Sequence, residues 1–140
     1  MKATVRNAYL SEMKVAKTAY HDGRYKAAFS HLERAHILGQ RYFTAHWITH
    51  WWMLKTGFRQ KDGREVIGQI LRLIAVTPGY LSGWVPKGNP GGASISALKP
   101  VPYPEDLGDL LKDYSVARDV MWRIVFWGIA GLVLWGLLGS

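Results

Sequence analysis

The stretch AKTAYHDGRYKAAFSHLERAHILG, residues 16–39, contains the pattern that decides the fold. Apolar residues recur at helical spacing on both sides of the turn Asp22-Gly23-Arg24, which predicts two helices folded back on each other as a hairpin. Its small and aromatic residues are spaced much as in a tetratricopeptide unit, at Ala19, Tyr20, Gly23, Tyr25, Ala27, Ala28 and Ala35. Because one such unit is present, a solenoid of repeats is not predicted.

Helical periodicity extends over most of the chain before residue 78, and it covers residues 5–21, 25–38, 41–56 and 64–76. Short turns separate these segments, so the sequence predicts an all-α domain of two helical hairpins over residues 1–77. The turn Asp22-Gly23-Arg24 recurs as Asp62-Gly63-Arg64. Two related hairpins would explain the recurrence, and so would a coincidence of turn chemistry, since Asp-Gly is a common turn dipeptide.

All six prolines lie between Pro78 and Pro104, in a glycine-rich stretch with no helical period. We therefore expect residues 78–104 to form an extended strap that wraps the helical domain and reaches the membrane. Residues 105–117 follow as a predicted amphipathic helix, with Leu107, Leu110, Leu111 and Tyr114 on one face. The apolar face would lie either on a membrane surface or against the domain.

The C-terminal stretch IVFWGIAGLVLWGLLGS, residues 124–140, contains no charged residue. It predicts a single transmembrane helix over residues 118–140, because its glycines would weaken a helix in water but are common in lipid. The residues expected to contact lipid or a partner helix are Arg118, Trp122, Arg123, Trp127, Gly128, Gly131 and Trp135.

The net charge of +8 lies entirely in residues 1–77. This excess is compatible with contact with an anionic lipid surface or an acidic partner, and a solvated basic surface is the alternative interpretation. Nucleic acid is not expected, because no recognised binding motif accompanies the dispersed basic residues. The N-terminus has no signal-peptide pattern, and Arg118 and Arg123 precede the predicted span. The positive-inside rule then predicts a single-pass membrane protein with its N-terminal domain in the cytoplasm.

Histidines on the second and third predicted helices form the candidate metal site, whose ligands would be Glu33, His36, His46 and His50. Glu33 and His36 have the Glu-x-x-His spacing used in helical bundles, and His46 and His50 share one helix face. Glu65 on the fourth helix could join them. A divalent transition metal is the cofactor this set would take, while packed core histidines are the alternative interpretation.

No catalytic residue is predicted. The chain lacks the glutamate of HExxH, the G-x-S-x-G motif and any cysteine. We therefore expect no enzymatic activity.

Four sequence features together resemble a known family: HLERAHILGQ (31–40), the pair His46 and His50, REVIGQILRL (64–73), and the run PKGNPGG…PVPYPEDL that ends at Leu107. They are similar to an uncharacterised bacterial family, a domain of unknown function often encoded near metal-resistance genes. The resemblance covers residues 5–107, with Pro90 where the family pattern leads us to expect threonine. It implies that the membrane span is an addition to the family's domain and that the membrane is the bacterial inner membrane.

Two functions follow from these observations, with a weak enzyme of unknown substrate as a third interpretation. The first is a non-catalytic accessory or scaffolding subunit whose span docks against integral membrane proteins of a larger complex, with a photosynthetic reaction-centre or light-harvesting assembly as one candidate host. The second is a membrane-tethered metal-binding protein that uses the Glu/His cluster.

Overall fold

The computed structural model describes residues 1–138; the predicted span's last two residues, Gly139 and Ser140, lie outside the described part. Over residues 1–138 the chain is helical without strands, which confirms the predicted all-α class. Its helices are α1 (Ala3–His21), α2 (Tyr25–Gly39), α3 (Phe43–Gln60), α4 (Gly63–Ser82), α5 (Glu105–Leu111) and α6 (Val116–Leu138).

Helices α1 and α2 form the first hairpin, and alanines line the interface between them. Ala16, Ala19, Ala28 and Ala35 are each at most 1% exposed. Their small side chains let the two helix axes approach closely, while Leu32 and Met13 fill the neighbouring core. The small-residue pattern of residues 16–39 therefore predicted this hairpin correctly.

Helices α3 and α4 form the second hairpin across a tight turn. Lys61 adopts a left-handed conformation (φ 58°) at the end of α3, and the Asp62 side chain accepts a hydrogen bond from the Glu65 N–H at the start of α4. This is the usual way to satisfy a free N–H group in the first turn of a helix. The second Asp-Gly-Arg sequence thus opens a helix, as predicted.

Helix α4 continues through Pro78 to Ser82, so the irregular segment begins at residue 83 rather than at 78. A proline inside a helix removes one backbone hydrogen bond and crowds the preceding turn. Packing holds the last turns in place: Val76 is buried, and the Tyr80 ring lies 5.4 Å from that of Phe43. Tertiary contacts here override the proline signal.

Helix α5 packs against the first hairpin, which settles where its apolar face lies. Leu107 and Leu111 are buried in one cluster with Val5 and Tyr9 of α1. The predicted single helix over residues 105–117 was wrong at its end, because α5 stops at Leu111 and α6 begins at Val116. A turn between them buries Tyr114 beneath the Arg41 guanidinium, 4.5 Å from the ring centroid.

Helix α6 is long and apolar enough to cross a membrane, and none of its residues is buried. At 1.5 Å per residue its length is about 35 Å, compared with about 30 Å for the hydrocarbon core of a bilayer. Its first turn is attached to the helical domain, where Arg41 forms an ion pair with Asp119 at 3.3 Å. The sequence prediction of one membrane-spanning helix is consistent with this length and exposure.

The strap between α4 and α5 is packed against the helices and is stabilised by side-chain amides. Asn89 is 1% exposed; its Nδ2 donates to the carbonyls of Ser96 and Lys99, and its Oδ1 accepts from the Gly91 N–H. The Gln40 amide lies between the Pro86 carbonyl and the Gly88 N–H. The strap therefore covers the ends of α2 and α3, where the predicted ligand histidines are.

Candidate metal centre

Three histidines from two helices meet beneath the strap. His36 is near the end of α2, and His46 and His50 are one turn apart on α3. Their ligand nitrogens all lie within 4.8 Å of one another. The His50 Nε2 is 3.1 Å from the His36 Nε2 and 3.0 Å from the His46 Nε2. All three rings are nearly inaccessible to solvent, with 9% exposure or less.

The opposite nitrogen of two of these rings faces a hydrogen-bond acceptor. The His36 Nδ1 donates to the Asn89 carbonyl at 2.8 Å, and the His50 Nδ1 donates to the Gln69 Oε1 at 2.6 Å. The backbone of Gln40 also forms a hydrogen bond with His46. With the proton on Nδ1, the Nε2 atoms of His36 and His50 each carry a lone pair. These two lone pairs face each other at 3.1 Å and cannot satisfy one another.

Gln69 of α4 is held in the orientation that presents its oxygen to His50. Its Nε2 donates to Glu65 Oε1 at 2.5 Å and to the Gly91 carbonyl at 2.8 Å. Glu65 in turn accepts from the Ala93 N–H at 2.9 Å. This chain of bonds fixes the His50 tautomer, as outer-shell carboxylates and carbonyls do around metal-bound histidines.

Gly91 allows the strap to pass directly over the His36 ring. It has a φ of +84°, and a Cβ at this position would be 2.8 Å from the ring carbons. A side chain is excluded both by the left-handed backbone and by the ring beneath it. The glycine is thus needed for the close approach that lets the neighbouring Asn89 carbonyl accept from His36.

Burial keeps the three rings neutral. It lowers the pKa of His36 to about 4, with the Arg72 charge acting in the same direction and the Asn89 hydrogen bond opposing it. Burial, followed by the other histidines, lowers the pKa of His46 and of His50 well below the usual value. Neutral imidazole is the form that binds a metal ion, so no proton competes at neutral pH.

The predicted fourth ligand, Glu33, is not part of this cluster. Burial and the nearby Glu65 charge raise the pKa of Glu33. Glu65 acts through Gln69 rather than through a direct place among the histidines. The other histidine of HLERAH, His31, forms a part-buried pair with Glu12 at 2.7 Å.

A mostly apolar cavity of about 90 Å³ adjoins the three rings. Arg72 forms part of its wall, and the Arg72 guanidinium donates to the carbonyls of Gly92 and Ile95. Three imidazoles leave at least one coordination position open on a tetrahedral metal ion. The cavity provides room for a further ligand on that side.

Sequence reasoning identified the three histidines but missed the polar residues that orient them: Gln69, Asn89 and Gly91. All three lie within stretches that carried the family resemblance: Gln69 in REVIGQILRL, and Asn89 and Gly91 in PKGNPGG. Neutral amides and glycine have no characteristic metal-ligand spacing, so only their place in those stretches marked them. Their role depends on α4 and the strap meeting at one point.

The fold and the site together define a class: an all-helical domain with a buried three-histidine cluster, followed by an exposed apolar helix. The chain belongs to the family described as "Protein of unknown function (DUF3703)", whose model matches residues 3–111. The matched residues include the whole histidine cluster and end before α6 begins. No curated protein and no solved structure matches the chain.

Proposed function

We propose that this protein is a membrane-tethered metal-binding protein whose centre consists of His36, His46 and His50. The observation that supports it is the convergence of three buried Nε2 atoms, with hydrogen-bond partners on the far side of the rings. The Nε2 lone pairs of His36 and His50 face each other without a proton between them, and such buried acceptors are costly unless a cation lies between them. A core histidine that only fills space needs no such arrangement.

The distances suit a first-row transition metal. Two nitrogens that each lie about 2.0–2.1 Å from a tetrahedral ion are about 3.3 Å apart. The His50 Nε2 is 3.1 and 3.0 Å from the other two Nε2 atoms, and all three lie within 4.8 Å of one another, so ring rotations would bring them onto one ion. Neutral imidazole suits zinc, copper, cobalt or nickel rather than calcium or magnesium, which prefer oxygen ligands. We propose Zn²⁺ as the natural occupant.

The residues that line the cavity favour a metal-binding site over a catalytic one. Among the described residues around it none is a carboxylate, and Arg72 is the charged group. A hydrolytic metal site usually has a general base that takes a proton from the metal-bound water. The centre would therefore carry or sense a metal ion and would not catalyse a reaction.

The test is metal retention by the full chain in detergent, with three single histidine variants. We expect stoichiometric Zn²⁺ by elemental analysis in the native chain and in His31→Ala, whose ring is in a part-buried pair with Glu12 away from the cluster. His46→Ala and His50→Ala should lose the metal while keeping their helical circular dichroism. Equal metal in all four proteins, or none in the native chain, would refute the centre.

A second candidate function is an accessory subunit of a larger membrane complex. Two apolar surfaces without a partner in the described chain support it: the part of α6 beyond Trp127, and a row on α4 in which Ile67, Leu71 and Ile74 are 62–67% exposed. Exposed aliphatic rows of this kind mark surfaces that meet lipid or another protein. We propose integral membrane proteins as partners, with α6 docking against their helices.

Localisation is part of the same proposal. Arg118 and Arg123 lie in the first turns of α6, and the basic domain precedes them. These charges favour a cytoplasmic N-terminal domain on a bacterial inner membrane with anionic lipid. Extraction of the native membrane in mild detergent tests both points. A large particle of fixed composition supports the subunit, and bound pigment would identify a photosynthetic host; a lone small species contradicts it.

A further inference from the structure

The cavity beside the histidines leads to one edge of the domain. Its inner end is formed by His36, His46 and His50, and its outer end by exposed apolar residues that include Trp84 and Leu98. Trp84 is 42% exposed and Leu98 is 65% exposed. The passage is therefore apolar at its mouth and offers nitrogen lone pairs at its closed end.

The same edge is attached to the membrane helix. The Trp127 Nε1–H of α6 donates to the Leu81 carbonyl at 2.9 Å, and the Arg123 guanidinium lies 4.3 Å from the Tyr80 ring centroid. Gly83, at φ +73°, lets the chain pass α6 so closely that a Cβ would be 2.8 Å from the Asp119 carbonyl oxygen. The last turn of α4 and the start of the strap therefore lie directly against α6.

The contact between Trp127 and Leu81 determines how deep this edge of the domain lies in a membrane that α6 crosses. Trp127 is four residues beyond Arg123, after which α6 contains no charged residue. Four residues of helix rise by about 6 Å. If Arg123 lies among the headgroups, the Leu81 carbonyl is at the upper boundary of the hydrocarbon layer. Tryptophan is enriched at that level, and exposed lysines such as Lys87 and Lys99 suit headgroup phosphates.

We infer that the cavity opens into the membrane interface and that the metal's open position takes an apolar ligand with one anionic donor, delivered from the lipid. The coordination part rests on the proposed metal centre, whereas the placement of the mouth rests only on the contacts between α4, the strap and α6. Arg72 on the wall favours an anionic donor over a neutral one. An alkyl thiol would lose its proton to solvent, and the thiolate sulfur would donate its electron pair to the metal.

The ligand test uses the full chain in phosphatidylcholine nanodiscs with phosphatidylglycerol, loaded with Co²⁺. Hexanethiol and 2-mercaptoethanesulfonate carry the same donor atom but differ in their partition into lipid. We expect a thiolate-to-cobalt charge-transfer band with hexanethiol and none with the sulfonate. Ala75→Phe, which narrows the cavity, should abolish the band, and Ala3→Phe on the exposed start of α1 should retain it.

An equal response to both thiols, or an unchanged band in Ala75→Phe, would overturn delivery from the lipid. Failure of Co²⁺ to bind at all would refute the metal centre and the coordination with it. That failure would be recognisable, because the cobalt spectrum is recorded before any thiol is added.

The position of the cavity mouth at the membrane interface is tested separately with a spin label. The chain has no cysteine, so one introduced residue accepts the label uniquely. In nanodiscs, a label on Leu98→Cys should collide more with oxygen than with chromium oxalate. Lys26→Cys, on an exposed turn at the start of α2, should show the reverse. A Leu98 label as exposed to chromium oxalate as the Lys26 label would refute the membrane placement, whatever the metal result.

Discussion

The histidine centre buries polar groups inside the domain, whereas helix α6 exposes apolar side chains on its surface. In the centre His36 and His50 are 3% and 2% exposed, together with the fully buried amide of Gln69. In α6, Trp135 and Leu138 are 75% and 78% exposed. Water would penalise both arrangements, since buried polar groups need partners and exposed apolar rows need cover.

The two regions differ in what compensates for these costs. In the centre the protein itself supplies hydrogen-bond partners, because α4 and the strap provide acceptors for the Nδ1 side of His36 and His50. A small cation would complete the Nε2 side. In α6 the protein supplies almost nothing beyond its first turns, so the exposed apolar residues of this helix need cover from outside the described chain. Variants of each region test whether metal binding by the centre depends on α6.

The largest effect is expected from His50→Ala, because this ring contacts both other ligand nitrogens. Outer-shell changes typically cost 10–100-fold in metal affinity, and we expect the loss of a direct ligand to exceed about 1,000-fold. Competition against a chromogenic chelator measures it, with His31→Ala as the control. A loss below tenfold would show that His50 is not a ligand.

Gly91→Ala comes next, because the new Cβ would meet the His36 ring and the backbone has φ +84°. Strain at such a position and displacement of a buried ring should together lower the free energy of unfolding by about 3 kcal/mol. Denaturant unfolding in detergent measures it. Gly63→Ala is the matched control: with open space at the start of α4 it should be neutral or slightly stabilising. Equal effects would contradict the packing of the strap on His36.

The stability of the metal-free centre should decrease as the solution becomes acidic. The pKa of His36 is lowered to about 4, so the unfolded chain binds more protons below pH 6.5. The contribution of neutral His36 is complete above pH 6.5 and is lost towards pH 4, which amounts to about 2 kcal/mol by pH 5. The raised pKa of Glu33 opposes part of this loss. Thermal unfolding with EDTA from pH 7.5 to 5 measures it, and a pH-independent midpoint would contradict buried neutral rings.

Gln69→Leu should have a smaller effect on the metal than removal of a ligand. The substitution removes the acceptor of the His50 Nδ1 proton but leaves all three ligand nitrogens. We expect a loss of about 10–100-fold in affinity, typical of outer-shell partners. Gln60→Leu, at the end of α3 on the surface, is the control. An unchanged affinity in Gln69→Leu would mean that the tautomer of His50 is set by other contacts.

The smallest effect on the metal should come from removal of residues 128–140, which lie beyond the contact of Trp127 with Leu81. None of the described residues of this segment is buried, so the histidines should keep their affinity within a factor of about two. Membrane association should be lost at the same time, as flotation would show. Loss of metal binding on truncation would show that the centre and the anchor are coupled.

Much of the fold could be predicted because it depends on local periodicity. The alanine-rich hairpin, the second Asp-Gly-Arg turn and the uncharged C-terminal helix all leave short-range signals. The helix through Pro78 was missed because contacts such as Tyr80 with Phe43 outweigh the local signal. The end of α5 was missed because the burial of Tyr114 under Arg41 comes from distant parts of the chain.

The sequence by itself determined the class of the domain, the apolar C-terminal helix and the histidine spacings, because each follows from the 3.6-residue period of a helix. Only the tertiary structure decided that His36 joins His46 and His50 while Glu33 does not. It also brought Gln69 and Asn89 behind the rings. These contacts depend on the rotation of each helix about its axis when it packs and on where the irregular strap crosses the helices. Neither produces a periodic pattern in the sequence.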